Sequence, residues 1–426
     1  MTAPVIGFAG MTHLGLNSAA TAAALGFPVV ALDTDAGLVE GLRRGELPVA
    51  EPGLPELLAT NPERLTFTST PGDLGRCDVI YVAPDVPTDD ADISDLEPVR
   101  EIIGTVRAHV APDAVVVVLS QVPPGFTRSL PLPPARTFYQ VETLIFGRAV
   151  ERALHPERLI VGCADPQPPL PAALARFLGA FDCPILKMRY ESAELAKISI
   201  NMFLVSSVAT ANTLAELCER IGADWSEIVP ALRLDRRIGP HAYLMPGLGI
   251  AGGNLTRDLA TVKSLALEHG TDAGIIDAWN ENTRHRRDWA LTTVHRELLT
   301  HVPGAALAVW GLAYKEHTQS TKNSPSIHLI SRLRDVSVTA YDPAARLQPA
   351  STPAWLRIAA SPLDACRGAD GLIVMTPWPE FATIDLAQVA DVLRGRVLVD
   401  PFGVLDVGRA AHLGFVHHRL GTGRLE

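Results

Sequence analysis

The sequence predicts an α/β protein: two doubly wound, Rossmann-like domains joined by a central helical dimerisation region. Three observations lead there. Over the first 185 or so residues, short apolar runs rich in Val and Ile alternate with amphipathic stretches, at 4–9, 28–33, 78–83, 114–120 and 158–162. Runs of this length between helical patterns read as a parallel sheet wound by helices. Residues 191–222 then form one long segment with few breakers, apolar on nearly every face. Such a helix is buried on most sides, often against a second subunit. From 305 onward the alternation returns, with candidate strands at 307–313, 336–341, 371–375 and 397–399. The expected domains are 1–188, 189–298 and 299–426.

Bulk properties narrow the function. At 426 residues the chain exceeds one ordinary core, and 47% hydrophobic with 20% charged residues is an ordinary globular balance. A formal net charge of -10 without a Lys/Arg block excludes a protein that tracks nucleic-acid backbones. The five cysteines, Cys77, Cys163, Cys183, Cys218 and Cys366, are scattered and form no Cys-x-x-Cys pair. They read as small buried hydrophobes, with neither a disulfide framework nor a metal site. No basic leader precedes the first apolar run, and no apolar run approaches the ~20 residues of a membrane span. A soluble cytoplasmic enzyme without membrane or nucleic-acid partners is the expectation.

The opening VIGFAGMTHLGLNSAATAAALGFPVVALDTD carries strand, glycine turn, Ala-rich helix, second strand and terminal acid in dinucleotide-binding order. Gly10, Thr12 and Gly15 fit G-x-G-x-x-G with Thr12 in place of the middle glycine, and Met11, His13 and Leu14 complete the turn. A turn at Gly10 brings a pyrophosphate to the uncapped amides of the following helix. Thr12 either narrows that approach or donates a hydroxyl, and His13 reads as a loop side chain near the phosphates. Asp33, about twenty residues on, is placed to accept both ribose hydroxyls and to repel a 2′-phosphate, which favours NAD over NADP.

Seven ordered blocks carry a family resemblance: EPGLPELL (51–58), VAPDVPT (82–88), AELAKISINMFL (193–204), DRRIG (235–239), PGLGIAGGNLTRD (246–258), WGLAYKEHTQSTKNSPS (310–326) and TPWPEF (376–381). Over nearly its whole length the chain resembles the UDP-glucose/GDP-mannose dehydrogenase family. That resemblance implies an N-terminal NAD domain, a helical middle that forms a homodimer, and a C-terminal domain that helps to hold a nucleotide-diphosphate sugar. It further implies that Pro84, Thr88, Gln121 and Lys322 lie with the cofactor, and that Glu142, Phe146, Arg237, Tyr243, Gly247, Gly249, Gly252 and Lys315 lie with the substrate. Arg237 resembles an arginine supplied across the dimer interface, while Lys315 and Lys322 fit the diphosphate.

The departures from the family are specific. Where members read G-F-G-F-G-G-S-C-F-P-K-D, this chain reads GLGIAGGNLTRD, with Asn254 at the nucleophile and Arg257 at the lysine. Gln121 replaces a threonine in SQVPPG, and VETLIFG keeps Glu142 but places Phe146 at a second glutamate. Oxidising an alcohol to an acid needs a thiolate to convert the aldehyde and a group to activate water, and Asn254 and Phe146 do neither. Removing one hydride needs a proton acceptor and a group that stabilises charge on the reacting oxygen. Lys197 and Asn201, at i and i+4, share a helical face and match family positions around the reacting carbon. The expectation is that Lys197 with Asp258 moves the hydroxyl proton and Asn201 polarises the oxygen. Three outcomes remain open: a two-electron oxidation of a secondary alcohol to a ketone, an epimerase or dehydratase with retained NAD, and a non-catalytic sugar-nucleotide binder.

Overall fold

A computed structural model describes residues 3–89, 92–347, 352–353 and 355–423. The chain divides into two compact units, 1–200 and 201–426. The first holds strands β1 (Ile6–Ala9), β2 (Val29–Leu32), β3 (Leu65–Thr68), β4 (Val79–Val82), β5 (Val115–Val118), β6 (Thr137–Val141), β7 (Leu159–Cys163) and β8 (Ile185–Arg189). They form one sheet in the order β3-β2-β1-β4-β5-β6-β7-β8. The second holds β9 (Ala306–Trp310), β10 (Ser337–Tyr341), β11 (Leu356–Ile358), β12 (Gly371–Val374), β13 (Val397–Val399) and β14 (Val416–His418), in the order β11-β10-β9-β12-β13-β14. The first six strands of one sheet and the six of the other therefore follow the same doubly wound order, as the patterning predicted.

The strands form where β-branched residues are buried on both faces. The run Val115–Val118 is the plainest case, buried throughout between helices on either side of the sheet. One expectation needs correction: β6 and β7 pair antiparallel, so the first sheet is mixed. Direction of pairing is not encoded in the pattern of a single strand.

The long helix spans Tyr190–Ile221 and crosses the boundary between the units. Tyr190 and Ala193 belong to the core of the first unit, and Ala211, Ala215 and Cys218 to that of the second. By length and composition it could cross a membrane, which corrects the expectation that no apolar run approaches that length. Burial on most faces is not found within the chain either: Phe203 is 78% and Ile221 66% exposed, with Leu214 and Leu217 exposed between them.

Both sheets turn out of their first strand in the same way. Gly10, at φ +97°, follows β1, and Gly311, at φ +95°, follows β9. A Cβ on Gly10 would stand 2.8 Å from Pro84 N, and one on Gly311 2.4 Å from the Thr376 side chain, so each turn admits only glycine. The next amide in each case, Met11 N or Leu312 N, donates at 2.7 Å to an aspartate beyond the neighbouring strand, Asp33 or Asp342. Asp33 keeps part of its surface open. Asp342 is 3% exposed, and its oxygens accept from five groups: Leu312 N, Ala313 N, Ala344 N, Ala345 N and Trp378 Nε1.

Replacing Asp342 by Ala strands those donors in the interior. A loss on the order of 3 kcal/mol or more is expected. Urea unfolding of the full chain, followed by tryptophan fluorescence, tests it; an unshifted midpoint would show that water replaces the carboxylate without cost.

Candidate functional site

In the first unit the predicted cofactor residues gather at the carboxyl ends of the parallel strands, where an open α/β sheet binds ligands. Gly10 to Gly15 link β1 to helix His13–Ala24, Asp33 follows β2, Pro84 and Thr88 follow β4, and Gln121 follows β5. Thr12 is the N-cap of that helix but makes no capping hydrogen bond. Its hydroxyl instead accepts from Asp85 N (2.9 Å) and donates to Ala83 O (3.4 Å). The helix thus keeps its first amides for an anion, and the threonine braces the turn. Asp33 Oδ2 accepts Met11 N at 2.7 Å and Oδ1 accepts Asp35 N at 3.0 Å, which fixes the carboxylate with lone pairs remaining for ribose hydroxyls. A glycine-only turn, an uncapped helix and a fixed acid fit a dinucleotide. When bound, NAD supplies the hydride acceptor at this site.

His13 has a closer set of partners than the sequence suggested. Its Nε2 lies 3.0 Å from Glu51 Oε2, and its ring stacks on Phe146 at 4.1 Å between centroids. Glu51 also accepts from Gly147 N (3.0 Å) and Ala149 N (2.8 Å). This buried carboxylate ties the loop after β6 to the start of the cofactor helix. Glu194, on the long helix, does the same for the turn after Gln121, accepting Gly125 N (2.6 Å) and Thr127 N (2.8 Å). Burial pushes its carboxyl above the usual range against the pull of those amides. Neither acid had been singled out by motif; the available signal was a glutamate inside the apolar AELA run and another beside Pro-Gly.

Glu142 stands just beyond β6, with Oε1 accepting Thr143 N at 2.6 Å. Burial raises its carboxyl, while the Thr143 amide, Lys197 and Arg152 pull it back. Lys197 and Glu142 are thus electrostatic partners within the first unit.

In the second unit Asn201 Nδ2 donates to Asp258 Oδ2 at 2.5 Å, and Arg257 Nε lies 3.5 Å from Asp258 Oδ1. All three are buried. Asp258 therefore orients the Asn201 amide and neutralises Arg257, a role the sequence did not reveal. Asn254 is exposed and opens helix Asn254–His269. The glycine loop before it is held firmly, with Gly247 N donating to Asn212 (2.7 Å), Arg287 donating to Ile250 O (3.1 Å) and Gly252 N donating to Lys322 O (3.2 Å). Gly249 packs on Thr283, and at Gly252 a Cβ would enter the Tyr314 ring. Lys315 Nζ lies 6.0 Å from the centre of that ring. Arg237 and Tyr243 are exposed, with Arg237 forked onto Asp235 at 2.7 Å. The geometry brings together two sets of predicted residues, one in each unit.

A glycine turn, an uncapped helix and a fixed acid at the ends of a doubly wound sheet define a dinucleotide-binding domain, and the family to which the chain belongs makes it an NAD-dependent oxidoreductase acting on CH–OH groups. The chain belongs to the UDP-glucose/GDP-mannose dehydrogenase family: its NAD binding domain matches residues 4–176, its central domain 191–284 and its UDP binding domain 308–407. A UDP-glucose 6-dehydrogenase of Pseudomonas aeruginosa is 30% identical over 440 residues, covering 97% of each chain. UDP-glucose 6-dehydrogenase TuaD of Bacillus subtilis is 28% identical over 97% of this chain and 92% of its own. Among solved structures, a UDP-glucose dehydrogenase from Pyrobaculum islandicum superposes with a TM-score of 0.85 at 26% identity, covering 99% of this chain and 98% of the other.

Replacing Asp33 by Ala removes the acceptor for the ribose. NAD binding is expected to weaken about 10- to 100-fold, the worth of one hydrogen-bonded charge, with NADP gaining relative to NAD. Calorimetric titration of both cofactors measures this; equal loss for the two would refute the discriminating role.

Proposed function

We propose that this protein oxidises one secondary alcohol of a nucleotide-activated sugar to a ketone, reducing one NAD per sugar. The observation that carries the reading is the exposed Asn254 at the start of helix Asn254–His269. Cys77, Cys163, Cys218 and Cys366 are buried, and burial raises their thiols above the usual range. At the position where the family resemblance puts the nucleophile stands Asn254, and where it puts a second glutamate the Phe146 ring lies on His13. A ketone does not go on to an acid, so the reading requires neither group. Two of the relatives above are named UDP-glucose 6-dehydrogenase.

In the proposed mechanism Lys197 takes the hydroxyl proton and the Asn201 amide, held by Asp258, polarises the reacting oxygen. The helix-start amides beside Gly10 hold the pyrophosphate, and Asp33 holds the ribose. The pinned glycine loop with Lys315 and Lys322 receives the nucleotide diphosphate, and Arg237 reaches the sugar of the neighbouring subunit. A homodimer is the assembly we propose, supported by the exposed stripe Phe203, Leu214, Leu217 and Ile221, which recurs at helical spacing on one face of the long helix.

Purified protein mixed with NAD and a panel of UDP-, GDP- and TDP-sugars tests the chemistry. One NADH and one ketone per sugar are expected, and Lys197→Ala should abolish turnover while NAD still binds. Two NADH with a uronic acid would overturn the reading; an isomerised or dehydrated sugar without net NADH would replace it by transient oxidation. For the assembly, Phe203→Asp is expected to weaken self-association about 100-fold or more in sedimentation velocity. An unchanged dimer would place the interface elsewhere.

A further inference from the structure

Glu142 borders a partly open cavity of about 30 Å³ in the first unit, whose polar lining includes Ser18, Thr21, Gln140, Thr143, Arg152 and Arg158. Ser18 and Thr21 stand at i and i+3 on the cofactor helix. Their hydroxyl oxygens are sealed from bulk solvent and have no hydrogen-bond partner in the protein. An unpartnered buried hydroxyl costs about 1–3 kcal/mol. A polar cavity this size has room for ordered water. The deep wall is fixed, since Tyr81 donates its hydroxyl to Gln140 Oε1 at 2.9 Å. The opposite wall approaches the surface: Arg152 and Arg158 meet the carboxylate of Glu157, itself 61% exposed, at 3.2 and 2.8 Å.

We propose that this cavity holds a short water chain that carries the proton of the oxidised hydroxyl from Glu142 to solvent beside Glu157. The proposal rests on the dehydrogenase reading above. Oxidation of a secondary alcohol releases a hydride, which the nicotinamide accepts, and a proton, which must leave a site closed by two bound ligands. Lys197 gives one ammonium proton to the Glu142 carboxylate as it takes the hydroxyl proton, so the ammonium is restored and Glu142 becomes a carboxylic acid. Glu142 then protonates the first cavity water, a proton departs at Glu157, and the carboxylate returns.

The surroundings of Glu142 suit a relay. Lys197 on the long helix and Arg152 on helix Ala149–Leu154 lower its proton affinity, burial raises it, and Tyr81 on β4 faces it as a neutral phenol, pushed well above its usual range. A carboxyl raised by burial yet restrained by two cations is suited both to accept and to release a proton. Ser18 and Thr21 need hydrogen-bond partners that only a small polar molecule can supply inside the cavity, which makes water the fitting occupant.

Ser18→Ala with Thr21→Val removes both hydroxyls at nearly constant volume. Infrared pH titration of the ligand-free protein reads Glu142 directly, its band identified by loss in Glu142→Gln. The double variant is expected to raise the midpoint by roughly one unit, as the carboxylate loses water hydrogen bonds. In rapid mixing with NAD and the active sugar nucleotide, the wild-type protein should release its proton in step with NADH. The double variant should form the first NADH within twofold of the normal rate and release the proton at least tenfold later; Glu142→Gln should slow NADH formation about 100-fold. Proton release that keeps pace in the double variant overturns the route, and so does an unmoved infrared midpoint. If the double variant is unstable, Thr21→Val alone carries the same expectation at about threefold. Absence of NADH with every sugar nucleotide would sink the dehydrogenase reading and leave the infrared titration to decide the cavity.

Discussion

The turn that ends the first strand of each sheet is the constraint on which both units depend. The backbone must enter the left-handed region at Gly10 and Gly311, and the next amide must find an acceptor at the edge of the sheet. Asp33 and Asp342 supply that acceptor from the neighbouring strand, so each carboxylate locks two strand ends together. An amide left unpaired there would cost as much as the turn gains. In the first unit, with the turn fixed, the helix His13–Ala24 beyond it keeps its first amides free of a side-chain cap.

The loops of the first unit are organised by buried acids more than by their own sequences. Glu51 gathers His13, Gly147 and Ala149, and Glu194 gathers Gly125 and Thr127, so loops far apart in sequence share one carboxylate each. Charged acceptors of this kind are strong and directional. They convert segments rich in proline and glycine into rigid walls, which is what positioning Phe146 on His13 requires. In the second unit Asp258 plays the same part for Asn201 and Arg257.

Much of this was legible in the sequence, unevenly. The Val- and Ile-rich strands were found because central parallel strands bury both faces; their order came only with the structure. The strands that escaped notice were mostly edge or mixed ones: LTFT at β3, ILKMR at β8, LRI at β11 and VHH at β14 each expose part of a face, and TFYQV at β6 carries a buried glutamine. Their patterns are too short and too polar for periodicity to register. The turn at Gly10 and the place of Asp33 after the second strand were legible from local spacing, whereas Lys197 and Asn201 were singled out by the family resemblance. The partnerships of Glu51, Glu194 and Asp258 were not legible, since they join residues separated by roughly 57 to 98 positions in most cases, a distance no motif spans.

The sealing of Asp342 has a consequence for how the two halves could diverge. Its carboxylate is already saturated by backbone amides and capped by the Trp378 indole, so the second sheet has spent the very group that would face a ribose. Any single substitution that reopened that end would lose the clamp before a ligand was there to compensate. The step is therefore epistatic: the tryptophan, the aspartate and the turn must change together for a second dinucleotide to enter. One sheet keeps an open carboxylate at the end of its second strand, while the other has closed its own by packing.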